Sequence, residues 1–130
     1  MILLLLACVG KPVATTEPAA CPDSPNCVST LADPADEQHF IEAIPYEGDE
    51  ATARARAREA LLAMPRMTVI EDRPGYLYVT QTSALWRFVD DLELWFADGR
   101  IALRSASRVG HGDMGVNRAR VEALRTALQQ

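Results

Sequence analysis

The stretch that decides the fold is FVDDLELWFADGRIALRSAS, residues 88–107. Its dipeptide Asp98-Gly99 is typical of a two-residue β-hairpin turn, because both turn positions require a positive φ. The segments on either side of the turn are rich in aromatic, β-branched and other apolar side chains, which favour strands. The sequence therefore predicts an antiparallel pair of strands, Phe88–Phe96 and Ile101–Ser107.

A two-residue turn pairs Ala97 with Arg100, and the register then follows by counting. Side chains alternate between the two sides of a strand, so each side of the hairpin has its own composition. On the apolar side Phe96 faces Ile101, Leu94 faces Leu103 and Leu92 faces Ser105. On the charged side Trp95 faces Ala102, Glu93 faces Arg104, Asp91 faces Ala106 and Val89 faces Arg108.

Two helices are predicted outside this hairpin. The first covers Asp49–Met64, since acidic residues at its start suit the positive end of the helix dipole and Pro65 stops it. The second lies within Asp113–Gln130, where apolar residues recur at helical spacing. Asn117 is the predicted N-cap of the second helix, because its side chain can accept a hydrogen bond from the first turn.

Three further strands complete the prediction: His39–Tyr46, Met67–Asp72 and Tyr76–Ser83. The element order is then β-α-β-β-β-β-α. Consecutive strands joined by short turns form antiparallel sheets. The predicted fold class is α+β, an antiparallel sheet of about five strands with two helices packed on one face.

The N-terminus indicates export. Met1–Ala7 is apolar and precedes Cys8, and such a run ending in Ala-Cys is similar to a bacterial lipobox, in which the cysteine receives a lipid. We therefore expect residues 1–8 to be a signal remnant with lipidation at Cys8, residues 9–20 a flexible tether, and residues 21–130 one domain. The alternative is an apolar strand with a free cysteine. The run is too short to be a transmembrane helix.

The other two cysteines, Cys21 and Cys27, predict a disulfide in an oxidising compartment. A zinc site that includes His39 is the rival interpretation. We disfavour it, because structural zinc needs four ligands and no second cysteine pair exists. No metal or cofactor is expected.

Charge is unevenly spread along the chain. The net charge is −5, yet no Lys or Arg lies between Pro12 and Ala53, and arginines dominate from Arg100 onward. Such asymmetry marks either an anion-binding face or two halves that neutralise each other on folding, and we favour the second interpretation. A net acidic chain argues against nucleic-acid binding.

Chemistry is most plausible on the charged side of the hairpin, which brings together Asp91, Glu93, Arg104 and Arg108. This group suits a zwitterionic or anionic ligand. Paired carboxylates also perform acid–base chemistry in glycosidases, but arginine neighbours lower carboxylate pKa values and so disfavour a general acid. A cross-strand ladder of ion pairs is the structural interpretation, and we favour it.

The segment between the last strand and the last helix is rich in glycine. Its amides, with Arg108 and Arg118 on either side, can cradle an anion unless Asp113 occupies that position itself. Ser107, His111 and Asp113 invite a catalytic-triad interpretation. We reject it, because a triad must converge in a geometry that so short a segment rarely supplies.

Three segments resemble a bacterial family, the domain of unknown function numbered 1499: CPDSPNCVS at residues 21–29, RFVDDLE at 87–93 and RSASRVG at 104–110, continuing through residue 118. The likeness spans about residues 21–128. The family has no established activity, and similar members are often lipoproteins or membrane-associated. The resemblance implies one signature, in which any ligand-binding site would be built, unless the signature is a buried polar network: Arg104, Ser105, Ser107, Arg108, Asp113, Asn117 and Arg118.

The favoured function is that of a lipid-anchored envelope protein on the periplasmic side, which binds an anionic small molecule or a protein partner without catalysis. The alternative is a hydrolase of an envelope substrate that uses Asp90, Asp91 or Glu93. A third interpretation is purely structural, and it requires every arginine of the signature to be neutralised within the domain.

Overall fold

A computed structural model describes residues 17–130. Cys8 and most of the predicted tether lie outside this part of the chain. The elements in chain order are β1 Cys27–Ser29, β2 Ile44–Pro45, α1 Glu50–Leu62, β3 Met67–Arg73, β4 Tyr76–Thr82, β5 Val89–Ala97, β6 Arg100–Ser107 and α2 Val116–Leu128.

The strands form one antiparallel sheet in the order β1-β6-β5-β4-β3, and β2 pairs with the far end of β6. The predicted α+β class, with an antiparallel sheet and two helices, is confirmed. The hairpin register is also confirmed, since Ala97 pairs with Arg100 and every pair down to Asp91–Ala106 follows as counted. A two-residue turn at Asp98-Gly99, with both residues at positive φ, fixes that register.

The apolar side of the hairpin forms the core beneath the helices. Leu94 and Leu103 are fully inaccessible to solvent, and they lie in one apolar cluster with residues of both helices. Helix α1 contributes Ala57 and Leu61 to this cluster, and α2 contributes Leu124. The small side chain of Ala57 lets α1 pack against the sheet.

Two local predictions are wrong. The strand expected at His39–Tyr46 is reduced to Ile44–Pro45. In the rest of the predicted strand, Phe40 forms an isolated β-bridge with Ser29. Asn117 is not the N-cap of α2. The helix begins at Val116, and Gly115, with φ 79°, is its N-cap. The Asp113 carboxylate instead accepts from the backbone N–H groups of Gly115 and Asn117.

The predicted disulfide between Cys21 and Cys27 is present. It ties the start of the domain to β1, an edge strand that was not predicted from the sequence. Near the N-terminal limit of the described chain, the Ser29 hydroxyl donates to the Ala19 carbonyl at 3.0 Å. No helix within residues 17–130 is long and apolar enough to cross a bilayer.

Candidate functional site

The charged side of the hairpin lies on the sheet face opposite the helices. Strand pairing extends it across β4, whose Tyr76 and Tyr78 lie opposite Trp95 and Glu93. We call this surface the open face, because neither helix packs on it, although Tyr76 and Trp95 within it are buried. We define it by seven residues: Tyr76, Tyr78, Asp91, Glu93, Trp95, Arg104 and Arg108.

Asp91 is the most heavily bonded carboxylate of the open face. Arg108 approaches it with two nitrogens, Nε and Nη2, each 2.8 Å from a different carboxylate oxygen. The Tyr78 hydroxyl donates to the same group at 2.5 Å. Burial works against ionisation of Asp91, but Arg108 and Tyr78 outweigh it and hold the pKa of the carboxyl below its usual value.

Glu93 faces Arg104 across the strands, yet its hydrogen-bond donor is Tyr76, whose hydroxyl lies 2.5 Å from Oε1. Burial, together with the nearby Glu93 carboxylate, raises the pKa of the Tyr76 hydroxyl, so the phenol stays protonated and donates. The Tyr76 ring also packs edge-on against Trp95 and under the guanidinium of Arg73. The predicted ladder therefore exists in register, but its carboxylates bond to tyrosines as well as to arginine.

Arg104 differs from the other arginines of the signature. Its Nε is inaccessible to solvent and has no hydrogen-bond partner. Within residues 17–130, no carboxylate forms an ion pair with Arg104. The acceptors around it bond to other groups: Glu93 accepts from Tyr76, Asp91 accepts from Arg108, and the Ser29 hydroxyl accepts from the Leu31 N–H. Arg104 is thus a partly buried cation whose donors are not used by the described chain.

The signature residues that point to the other side of β6 form a buried network under α2. Asn117 is its centre and is fully buried. Its side-chain oxygen accepts from Ser105, and its Nδ2 donates to Ser107, Asp113 and the Asn26 carbonyl, all within 3.1 Å. This network joins α2 to β6 and to the segment that precedes β1.

Arg120 completes the network, although it was not among the residues predicted from the sequence. Its guanidinium donates to Ser105, Asn117 and Gln81, and it forms a 2.5 Å ion pair with Asp90. The arginine side chain is 3% exposed and the aspartate side chain 13%. A signal was available, because Arg120 lies within the apolar stripe of α2, and an arginine in such a stripe needs a buried partner.

Asp90 and Asp91 therefore face opposite sides of the sheet, as adjacent residues of a strand must. Asp90 serves the buried network and Asp91 the open face. Of the three carboxylates named for a hydrolase, Asp91 and Glu93 share the open face and Asp90 lies on the other side of the sheet. Among the described residues, no cluster of three His, Cys, Asp or Glu side chains is arranged to hold a metal ion.

Arg118 lies at a third location. It donates to the backbone carbonyls of Glu37, Gln38 and Phe40, away from the open face. Arg108 is bound to Asp91, and Asp113 accepts from the first turn of α2. Asp113 therefore occupies the first turn of α2 as the alternative to an anion cradle requires, but it pairs with neither Arg108 nor Arg118. His111 is exposed, while Ser107 and Asp113 both bond to Asn117.

A separate cleft of about 430 Å³ lies between β2, α1 and the end of α2. Its size suits a small molecule. Its cation, Arg56, donates to the carbonyls of Leu128 and Gln130. The cleft contains no signature residue and no unused buried donor, so we assign the candidate site to the open face.

Residues 19–128 match the model of a family described as protein of unknown function, DUF1499. The chain is a member of the DUF1499 family. A search of curated proteins found no match. The matched range covers β1 to α2, so the DUF1499 domain comprises both the open face and the buried network.

Proposed function

We propose that this DUF1499 domain is a binding module and that Arg104 anchors an anionic group of its ligand on the open face. The observation that carries the proposal is the Nε of Arg104, which is buried and unpartnered. A guanidinium offers five N–H donors and suits carboxylates and phosphates. Buried donors without partners cost free energy, so their retention calls for an explanation such as ligand binding.

The neighbours of Arg104 restrict the ligand. The two positive charges of Arg104 and Arg108 match the two negative charges of Asp91 and Glu93. Arg108 already donates from Nε and Nη2 to the two carboxylate oxygens of Asp91. A ligand that pairs a carboxylate or phosphate with a cationic group fits best, because its cation can approach Glu93 while its anion meets Arg104. The proposed ligand is therefore anionic or zwitterionic and small, or is the charged end of a protein partner.

A hydrolase that uses the strand carboxylates draws less support. Its general acid must hold a proton near neutral pH. The environment of Asp91 lowers the pKa of that carboxyl, and Asp90 is paired with a buried arginine on the other side of the sheet. We further propose that the domain is held on the periplasmic side of the envelope by a lipid on Cys8, a residue outside the described part of the chain.

The test is a titration of the disulfide-bonded protein with phosphate, succinate and glycine, followed by the Arg104 and Ser29 signals in NMR spectra. We expect millimolar binding that Arg104→Met abolishes. Arg100→Met is the matched control, because Arg100 lies on the same strand and the same side, next to the hairpin turn. A wild-type protein that shows no shifts, or an Arg104→Met variant that binds equally well, contradicts the proposal for these ligands.

Stability gives a second readout. If Arg104 serves a ligand, Arg104→Met should leave the free energy of unfolding unchanged or raise it by about 1 kcal/mol, because the variant no longer buries an unpaired donor. If Arg104 is structural, the same variant should lower the stability. Loss of binding with retained stability supports the proposal.

A further inference from the structure

The loop between β4 and β5 presents large apolar side chains to solvent. Leu85 is 78% exposed, Trp86 is 72% exposed and Phe88 is 51% exposed. Single exposed apolar residues are ordinary, but an aliphatic and two aromatic side chains on one loop form a patch that indicates an interaction surface.

The loop is a fixed projection at one end of the sheet. The Ser83 N–H donates to the Phe88 carbonyl, and the Phe88 N–H donates to the Ser83 hydroxyl, both at 2.9 Å. The Arg108 N–H donates to the Val89 carbonyl at 3.1 Å, so the register brings Val109 beside Phe88. Val109 is 55% exposed and extends the patch onto the next loop.

The charge around this tip is positive. No acidic residue occurs between Ser83 and Val89, whereas Arg87 lies within the loop. Arg66 donates to the Thr82 carbonyl at the same end of the sheet. Within the described chain, neither arginine has a carboxylate partner.

The opposite end of the sheet carries acidic residues beside Arg73 and Arg100. Asp98 occupies the β5–β6 turn, and the Glu50 carboxylate accepts from the Gly75 N–H at the β3–β4 turn. Asp49 caps α1 next to Glu50. Arg66 and Arg87 thus lie at the opposite end of the strands from Asp49, Glu50 and Asp98, so the β4–β5 tip suits an approach to a negatively charged surface.

We propose that the Leu85–Phe88 loop docks into the headgroup region of an anionic lipid bilayer. Tryptophan favours this region, because its ring is amphipathic, and arginine beside it pairs with lipid phosphates. The three apolar side chains are 51% to 78% exposed at the end of the sheet, which suits insertion into a soft surface. This contact is independent of the Arg104 site and of any lipid on Cys8.

The experiment uses the full-length, disulfide-bonded chain carrying Cys8→Ser, so that no covalent lipid contributes. The protein is mixed with vesicles of phosphatidylcholine, either alone or with phosphatidylglycerol, and sedimented. We expect a blue shift of Trp86 fluorescence and stronger binding to the anionic vesicles. The double variant Leu85→Ser/Trp86→Ser should lower the partition coefficient by at least about tenfold, because two apolar side chains no longer enter the interface.

Matched variants separate the contributions. Leu62→Ser removes an exposed leucine from α1 and should retain wild-type binding, which excludes a general effect of surface polarity. Trp86→Phe should bind but lose the blue shift. Arg87→Asn suits the positive φ at that position and should weaken binding to anionic vesicles only, whereas Arg100→Asn at the other end of the strands should not.

Three results would overturn the proposal. One is equal sedimentation of the wild type and the Leu85→Ser/Trp86→Ser variant. Another is a Trp86 emission that vesicles leave unchanged. The third is a crosslink from the Trp86 loop to an envelope protein that persists while vesicles fail to bind, since the surface would then serve a protein partner.

Discussion

The ion pair between Arg120 and Asp90 should dominate the response of this domain to mutation. Arg120→Met removes a cation whose side chain is 3% exposed and leaves the Asp90 carboxylate, 13% exposed, without its partner. It also leaves Ser105, Asn117 and Gln81 without the donors that they receive from the guanidinium.

Breaking a buried pair from one side costs about 3–5 kcal/mol, since an uncompensated charge remains in the interior. That is a large part of the roughly 5–15 kcal/mol by which a domain is stable. Arg108→Met is the matched control. Its pair with Asp91 is bidentate, but the arginine side chain is 49% exposed, so we expect a loss of about 0–1 kcal/mol.

Urea unfolding of the disulfide-bonded protein, followed by circular dichroism, measures both variants. The double variant Asp90→Asn/Arg120→Met should recover part of the loss, because the stranded charge is gone. Equal destabilisation by Arg120→Met and Arg108→Met would refute the reasoning, as would a double variant less stable than Arg120→Met alone.

Two further predictions concern His39 and Cys8. His39 is buried, with its Nε2 facing the Ser24 carbonyl at 2.9 Å and its Nδ1 facing Asp36 at 2.7 Å, and these acceptors raise the pKa of the imidazole. Its stabilising contribution should be complete below the unfolded pKa of about 6.5 and lost as pH rises through the higher folded value, so the free energy of unfolding should fall as pH rises above about 6.5. His39→Gln should flatten this dependence and His111→Gln, at an exposed position, should not; equal slopes in both variants would contradict the assignment. For Cys8, palmitate supplied to bacteria that express the chain should label the wild type and not Cys8→Ser, and undiminished label in the variant would exclude Cys8 as the lipid site.

The sequence predicted the turns, helix ends and strand register that depend on neighbouring residues and on the spacing of apolar side chains. The Asp98-Gly99 turn fixed the register of β5 and β6, and with it the side of the sheet on which Arg104 and Arg108 lie. Asp49 at the start of α1 and Pro65 beyond its end bounded that helix within one or two residues. Each of these features depends on neighbours in the chain.

What depends on distant partners was not predicted. The strand β1 has three residues, too few for a periodic pattern, and it forms because β6 offers it an edge. Asn117 was assigned to a cap from its residue type, whereas Asp113 takes that role and frees the amide for Ser105 and Ser107. The role of Arg120 was not predicted, because its partners outside α2 lie on three different strands, β4, β5 and β6.

The five residues Arg104–Arg108 show how one strand can serve two purposes. Because side chains alternate, Ser105 and Ser107 face α2 and bond to Asn117, while Arg104 and Arg108 face outward. A shift of one residue would place both arginines in the interior and the serines on the surface. Ser105 and Ser107 both have hydrogen-bond partners within the domain. Of the two arginines, Arg108 is paired with Asp91, whereas the Nε of Arg104 has no partner. We therefore expect mutations on the two sides to have different effects. Changes at Ser105 or Ser107 should lower the free energy of unfolding, whereas a change at Arg104 should weaken the proposed ligand binding.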